Sequence, residues 1–129
     1  MSGAPEPVRL HEGETMTTLA EKKHMSRVAD LGCAVCRRMG YPGTPAELHH
    51  RRAGTGAGRR ASHWEVIPLC PEHHRGSTGL HGLGTKGFPK HYGFDETDLL
   101  IETLILIEKA HGEIPPHIRG VLLKGVDKV

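Results

Sequence analysis

Cys33-Ala-Val-Cys36 and Cys70-Pro-Glu-His73 each set two ligand-type side chains two residues apart, with 33 residues between the pairs. That spacing lets a tight turn aim both side chains at one tetrahedral ion, and two such turns supply the four donors of a closed structural Zn²⁺ site. The pairs consume all three cysteines, so none is left for a disulfide framework, which a reducing cytosol would not maintain. The chain carries 11 histidines, and the knuckles use one. His49-His50 precedes Arg51-Arg52, His74 follows the ligand His73, and His81 comes seven residues later. A lone histidine is more often a surface or hydrogen-bonded side chain, which is the reading for His11, His24, His91, His111 and His117. His63 stays undecided.

The elements that position these residues must come from a short chain. With 129 residues, 36% of them hydrophobic, there is material for one domain, expected over 16–112, between a disordered tail at 1–15 and a C-terminal extension at 113–129. Aromatics make up 4%, against 17 glycines and 9 prolines, so the core is thin and a structural ion able to contribute on the order of 10 kcal/mol to folding matters. No run of 18 apolar residues exists, and the start of the chain lacks the basic and apolar parts of a secretion signal. A soluble, cytoplasmic protein with no membrane partner is expected. The formal charge is +2, but residues 21–90 hold 12 Lys/Arg against 5 Asp/Glu, so the positive field belongs to the middle of the chain.

Thr18 with Glu21 three residues on has the form of a capping box, Ala20, His24, Val28 and Leu31 fall at helical spacing, and Gly32 can stop the helix, which is placed at 18–31. Residues 33–43 read as a knuckle and a turn. Short strands are expected at 47–51 and 64–69, with Pro68 at an edge or bend, on either side of a basic, glycine-rich loop over 52–62. Pro71 suits the first turn of a short helix over 71–75, and Gly76, Gly79, Gly82, Gly84 and Gly87 argue for an irregular segment after it. Asp95 can cap a long helix ended by Gly112 and Pro115-Pro116. Its apolar residues, from Leu99 to Ile107, cover more than one face. Either Ile118 to Val126 folds back over it, or a second chain does, as in a homodimer through this helix.

With 14 residues between His50 and Glu65 and 8 between Glu65 and His74, the middle of the chain resembles the HNH, or ββα-metal, nuclease superfamily. The phrases His24 to Gly43, Glu47 to Arg51 (ELHHR), Arg60 to His74 (RASHWEVIPLCPEHH) and Leu80 to Gly84 (LHGLG) are similar to the phage recombination-enhancement, RecA-dependent nuclease family, often called Ref. The resemblance implies an α+β fold with a zinc-stapled ββα-metal core flanked by an N-terminal and a C-terminal helix. It implies endonucleolytic cleavage of DNA, alongside RecA filaments, leaving a 5′ phosphate and a 3′ hydroxyl. His50 would be the general base; His49 and His74 would bind a catalytic Mg²⁺ or Mn²⁺, with Zn²⁺ as an alternative and His81 as third ligand. A neutral imidazole with a pKa near 6.5 can take a proton from water at neutral pH, which suits the role. The sequence departs from the motif where Asn is called for: Glu65 stands there, and His63 or the strand backbone is the alternative support for the base.

Arg51, Arg52, Arg59 and Arg60 flank the glycine-rich loop, and Lys86 and Lys90 follow the metal histidines, so these six are the candidate phosphate contacts. Trp64 reads as a core anchor. Two rivals remain at this level: a non-catalytic zinc module that binds nucleic acid or protein, and an HNH restriction or nicking enzyme unrelated to RecA.

Overall fold

The structure, a computed structural model, describes residues 17–51, 62–112, 114, 115 and 118. The expected tail at 1–15, the arginines Arg52, Arg59 and Arg60, and almost all of the 113–129 extension lie outside these residues. The described elements run α1 (Leu19–Asp30), α2 (Ala34–Arg38), β1 (Glu47–His50), β2 (Val66–Leu69), α3 (Pro71–Arg75), α4 (Leu80–Tyr92) and α5 (Glu96–His111). The fold is α+β: among the described residues, five helices around one small antiparallel sheet.

Helix α1 starts where the side chains dictate. Thr18 Oγ1 accepts from the Glu21 amide at 3.1 Å, and Glu21 Oε1 accepts from the Thr18 amide at 2.8 Å, closing the capping box. The second of these bonds, from the Thr18 amide, places negative charge against a backbone donor and, with burial working against it, holds the Glu21 carboxyl below its ordinary range. Gly32 follows at φ 79° and stops the helix. At the other end of the chain, Asp95 and Asp98 close a second capping box at the start of α5. Residues 33–43 hold more order than a bare turn: α2 lies inside the knuckle, with Cys33 as its N-cap.

Strands β1 and β2 pair Glu47 with Leu69, Leu48 with Pro68, His49 with Ile67 and His50 with Val66. In a two-stranded sheet each strand is an edge, which is how Pro68 is tolerated within β2. All four β2 side chains are buried, and Leu99, Leu100, Leu104 and Ile107 of α5 pack with them, together with Val28 of α1, Ala34 and Val35 of α2 and Phe88 of α4. The breadth of the α5 stripe is met largely within the chain: Ile114 and Ile118 are also buried in this core, and Ile105 is the exposed large apolar side chain of α5 among the described residues.

The glycine-rich stretch after α3, expected to be irregular throughout, is irregular over residues 76–79 and helical from Leu80, with a break at Gly84. Its glycines serve close packing instead. A Cβ on Gly79 would come within 2.5 Å of the Glu72 carbonyl oxygen, and one on Gly82 would collide with the carbonyl oxygen of Gly76, so their bareness lets the first turn of α4 lie against α3. Gly84, at φ 80° and ψ 174°, then kinks α4, and the helix continues to Tyr92. Tyr92 donates to the Thr78 carbonyl at 2.6 Å, tying the far end of α4 back to the α3–α4 junction.

Candidate metal and nuclease site

Four donors converge where α2, the end of β2 and α3 meet. His73 Nδ1 lies 3.5 Å from Cys33 Sγ, 3.5 Å from Cys36 Sγ and 3.2 Å from Cys70 Sγ, and the Cys36 and Cys70 sulfurs are 3.9 Å apart. A tetrahedral zinc with sulfur at about 2.3 Å and nitrogen at about 2.0 Å requires S···S of about 3.8 Å and S···N of about 3.5 Å. The observed distances fit that cage to within a few tenths of an ångström. Burial pushes the Cys33 thiol up to about 11, so a cation is what would hold it as a thiolate, and burial also lowers His73 toward the neutral imidazole that ligates. This Cys₃His cluster can hold zinc, stapling α2 and α3 to the end of β2.

A second cluster lies beside the first and shares α3 with it. His49 of β1, His74 of α3 and His81 of α4 each offer a ring nitrogen, all within 4.8 Å of one another. Their rings approach edge to face or tilted, with centroids 5.0 Å apart for His49 and His74, 5.4 Å for His49 and His81, and 4.8 Å for His74 and His81. His49 is 2% exposed whereas His81 is exposed, so the cluster is closed on the strand side and accessible on the α4 side.

Two of the three histidines are backed by carboxylates. His49 Nε2 lies 2.5 Å from Glu96 Oε2, and His74 Nδ1 lies 2.7 Å from Glu47 Oε1. Glu47 also accepts from Arg75, Nε to Oε1 at 2.8 Å and Nη2 to Oε2 at 3.2 Å; the guanidinium first, then His74, holds the Glu47 carboxyl below its ordinary range. Neither glutamate stood out in the sequence. Glu47 sits two positions before His49, on the same side of the strand, which is a local signal; Glu96 is 47 residues from His49 and reads locally as a first-turn helix charge.

His50 follows His49 at the end of β1 and is not one of the three clustered histidines. Its Nε2 lies 3.0 Å from His63 Nδ1, and His63 Nε2 lies 3.4 Å from Thr17 Oγ1. Glu65, at the position where the motif calls for Asn, pairs instead with Arg51: Oε1 to Nη2 is 2.6 Å, and the Arg51 amide donates to the Glu65 carbonyl at 2.9 Å. Arg51 is therefore held by an internal partner, while Lys86 and Lys90 are exposed on α4. His24 is buried and Trp64 is partly buried; His24 Nε2 donates to the Trp64 carbonyl at 3.2 Å, and burial lowers its pKa. A cavity of about 640 Å³ lies between α1 and the end of α5, lined by His24, Trp64, Ile107 and Ile114 among others, and no residue of either donor cluster lines it.

The fold and its two donor clusters define an α+β protein with two groups of side chains able to hold metal ions, the histidine group being reachable from solvent. The chain belongs to the recombination enhancement, RecA-dependent nuclease family, whose model matches residues 17–102, two thirds of its length. It is thus an enzyme of the nuclease class with a role in recombination; DNA is the substrate that class implies, and RecA is the partner in the family's name. No curated protein matches the chain. Among the described residues no helix is long and apolar enough to cross a membrane.

Proposed function

We propose that the chain is a metal-dependent DNA endonuclease of the HNH, ββα-metal type, in which β1, β2 and α3 form the core unit and zinc in the Cys₃His cluster staples it. The observation that carries this reading is the convergence of His49, His74 and His81 from three separate elements, with carboxylates behind two of them. A zinc module that only binds nucleic acid has no use for such a cluster.

His49, His74 and His81 would hold the catalytic cation, which when bound offsets charge on the scissile phosphate and on the departing 3′ oxygen. Of the ions expected, an all-imidazole donor set favours Mn²⁺ or Zn²⁺ over Mg²⁺, which prefers oxygen ligands. His50 is the general base. If Nε2–H of His50 donates to His63 Nδ1, and Nε2–H of His63 donates to Thr17 Oγ1, both tautomers are set, and Nδ1 of His50 becomes the atom that takes a proton from water. His63 then does for the base what the Asn of the motif name does elsewhere. Arg51, Arg52, Arg59, Arg60, Lys86 and Lys90 contact phosphates and position the duplex without reading its sequence.

A plasmid-nicking assay with Mn²⁺ tests the mechanism. His50→Ala should lower the rate by about 10²- to 10⁴-fold while zinc content and helical signal stay as in wild type. A His50→Ala protein that cuts as fast as wild type removes the general base. RecA, ATP and a complementary single strand, added to the same assay, should direct cleavage to the paired segment; cutting that ignores the filament would instead indicate an HNH restriction or nicking enzyme.

A further inference from the structure

We propose that Glu96 is a positioning residue for the three-histidine site, and that through it the first turn of α5 sets the orientation of His49. The inference rests on the reading of His49, His74 and His81 as a cation site. Glu96 Oε2 and His49 Nε2 are 2.5 Å apart, and the side chains are 10% and 3% exposed. A carboxylate so buried is costly unless it is paired, and His49 is the partner it meets.

The geometry does something a surface pair could not. A histidine that ligates through one ring nitrogen gives the other to a carboxylate, carbonyl or water, which fixes its tautomer and raises the basicity of the ligating atom. With Nε2 of His49 committed to Glu96, the ligand lone pair belongs to Nδ1. Glu47 does the complementary work at His74, where Nδ1 is committed and Nε2 carries the lone pair. The two carboxylates are not equivalent: Glu47 is shared with Arg75 and its side chain is 33% exposed, so solvent screens it, whereas the Glu96 contact is sealed between β1 and α5. Glu96 therefore carries more of the cluster's preorganisation.

The test is a titration of the zinc-loaded full chain with Mn²⁺ alone, the unbound ion being read by its paramagnetic resonance signal. Glu96→Gln, which keeps the side chain's size, should weaken Mn²⁺ binding by about tenfold to a hundredfold, with one zinc per chain and an unchanged far-UV spectrum. Glu96→Asp, which keeps the charge but withdraws it by one methylene, should fall between wild type and Glu96→Gln and serves as the readout if the Gln variant does not fold. Glu102→Gln, on the same helix but paired with Arg38, should bind Mn²⁺ as wild type does. Mn²⁺ affinity in both Glu96 variants equal to wild type would overturn the inference alone. A wild-type chain that takes up no Mn²⁺ beside its zinc would overturn the three-histidine reading, and this inference with it.

Discussion

His24 and His49 are both buried, yet they turn Nε2 to different partners: a neutral carbonyl at Trp64 for the first, a carboxylate at Glu96 for the second. For His24, burial outweighs the carbonyl and lowers the pKa below its ordinary value of 6.5. The folded chain thus binds this proton less readily than the unfolded chain does. Its contribution to stability is complete above about pH 6.5 and is lost as the pH falls from there through the folded pKa. His24→Gln can donate the same bond without titrating, so its melting temperature should fall less steeply than that of wild type between roughly pH 7 and pH 5; parallel curves would remove the assignment. The cysteines act at the same scale with larger stakes. Cys36→Ser or Cys70→Ser breaks a four-donor site able to contribute on the order of 10 kcal/mol, and either variant should lose its far-UV helical signal. If such variants, held in excess chelator, kept the wild-type melting temperature, the zinc reading would be wrong.

Helix α4 is where local sequence misleads. Five glycines between 76 and 87 look like a broken segment because the sequence does not show what a Cβ would strike; the contacts show it, since Gly79 and Gly82 lie against the backbone oxygens of Glu72 and Gly76. This close approach brings His81 to His74. Gly82→Ala should therefore separate α4 from α3 and weaken the second cation site while leaving the Cys₃His zinc in place, because Cys33, Cys36, Cys70 and His73 are all outside α4. Metal analysis at limiting and excess Mn²⁺ checks it, and simultaneous loss of both ions would mean that α4 supports the whole domain. Legibility follows the range of the interaction. The capping box of α1, the Asp95 cap of α5, the α3 start at Pro71 and the CxxC and CxxH spacing are written within four residues and were readable. The grouping of His49, His74 and His81 was reached through the family resemblance, and the cation role given to them there is a proposal. Glu96 was not readable, because only the packing of α5 on the sheet brings it to His49. Nor was the pairing of Arg51 with Glu65, which links the two strands across the loop. The short helix α2 was hidden by the ligand spacing that it carries.

At the scale of the whole molecule the question is how a chain with a formal charge of only +2 holds a polyanion. Net charge is the wrong quantity; on the proposed reading the surplus of Lys/Arg between residues 21 and 90 supplies the phosphate contacts, and bound cations would add to it. Within that segment the described side chains are unequal. Arg75 is tied to Glu47, which raises its pKa further, and Arg51 is tied to Glu65, so part of their charge is already answered internally. Lys86 and Lys90 are exposed, four residues apart on the second half of α4, and so project from one side of it, on the helix that also carries His81. Each lysine that neutralises a phosphate releases condensed counterions and contributes about 0.9 to the slope of log affinity against log salt. The Lys86→Ala, Lys90→Ala double variant should therefore bind duplexes of unrelated sequence about equally less well, and its salt slope should be shallower by about two. Fluorescence anisotropy with two such duplexes across roughly 50 to 200 mM salt measures both quantities. An unchanged slope would move the phosphate contacts off α4, and a loss confined to one of the two duplexes would mean that these lysines read bases.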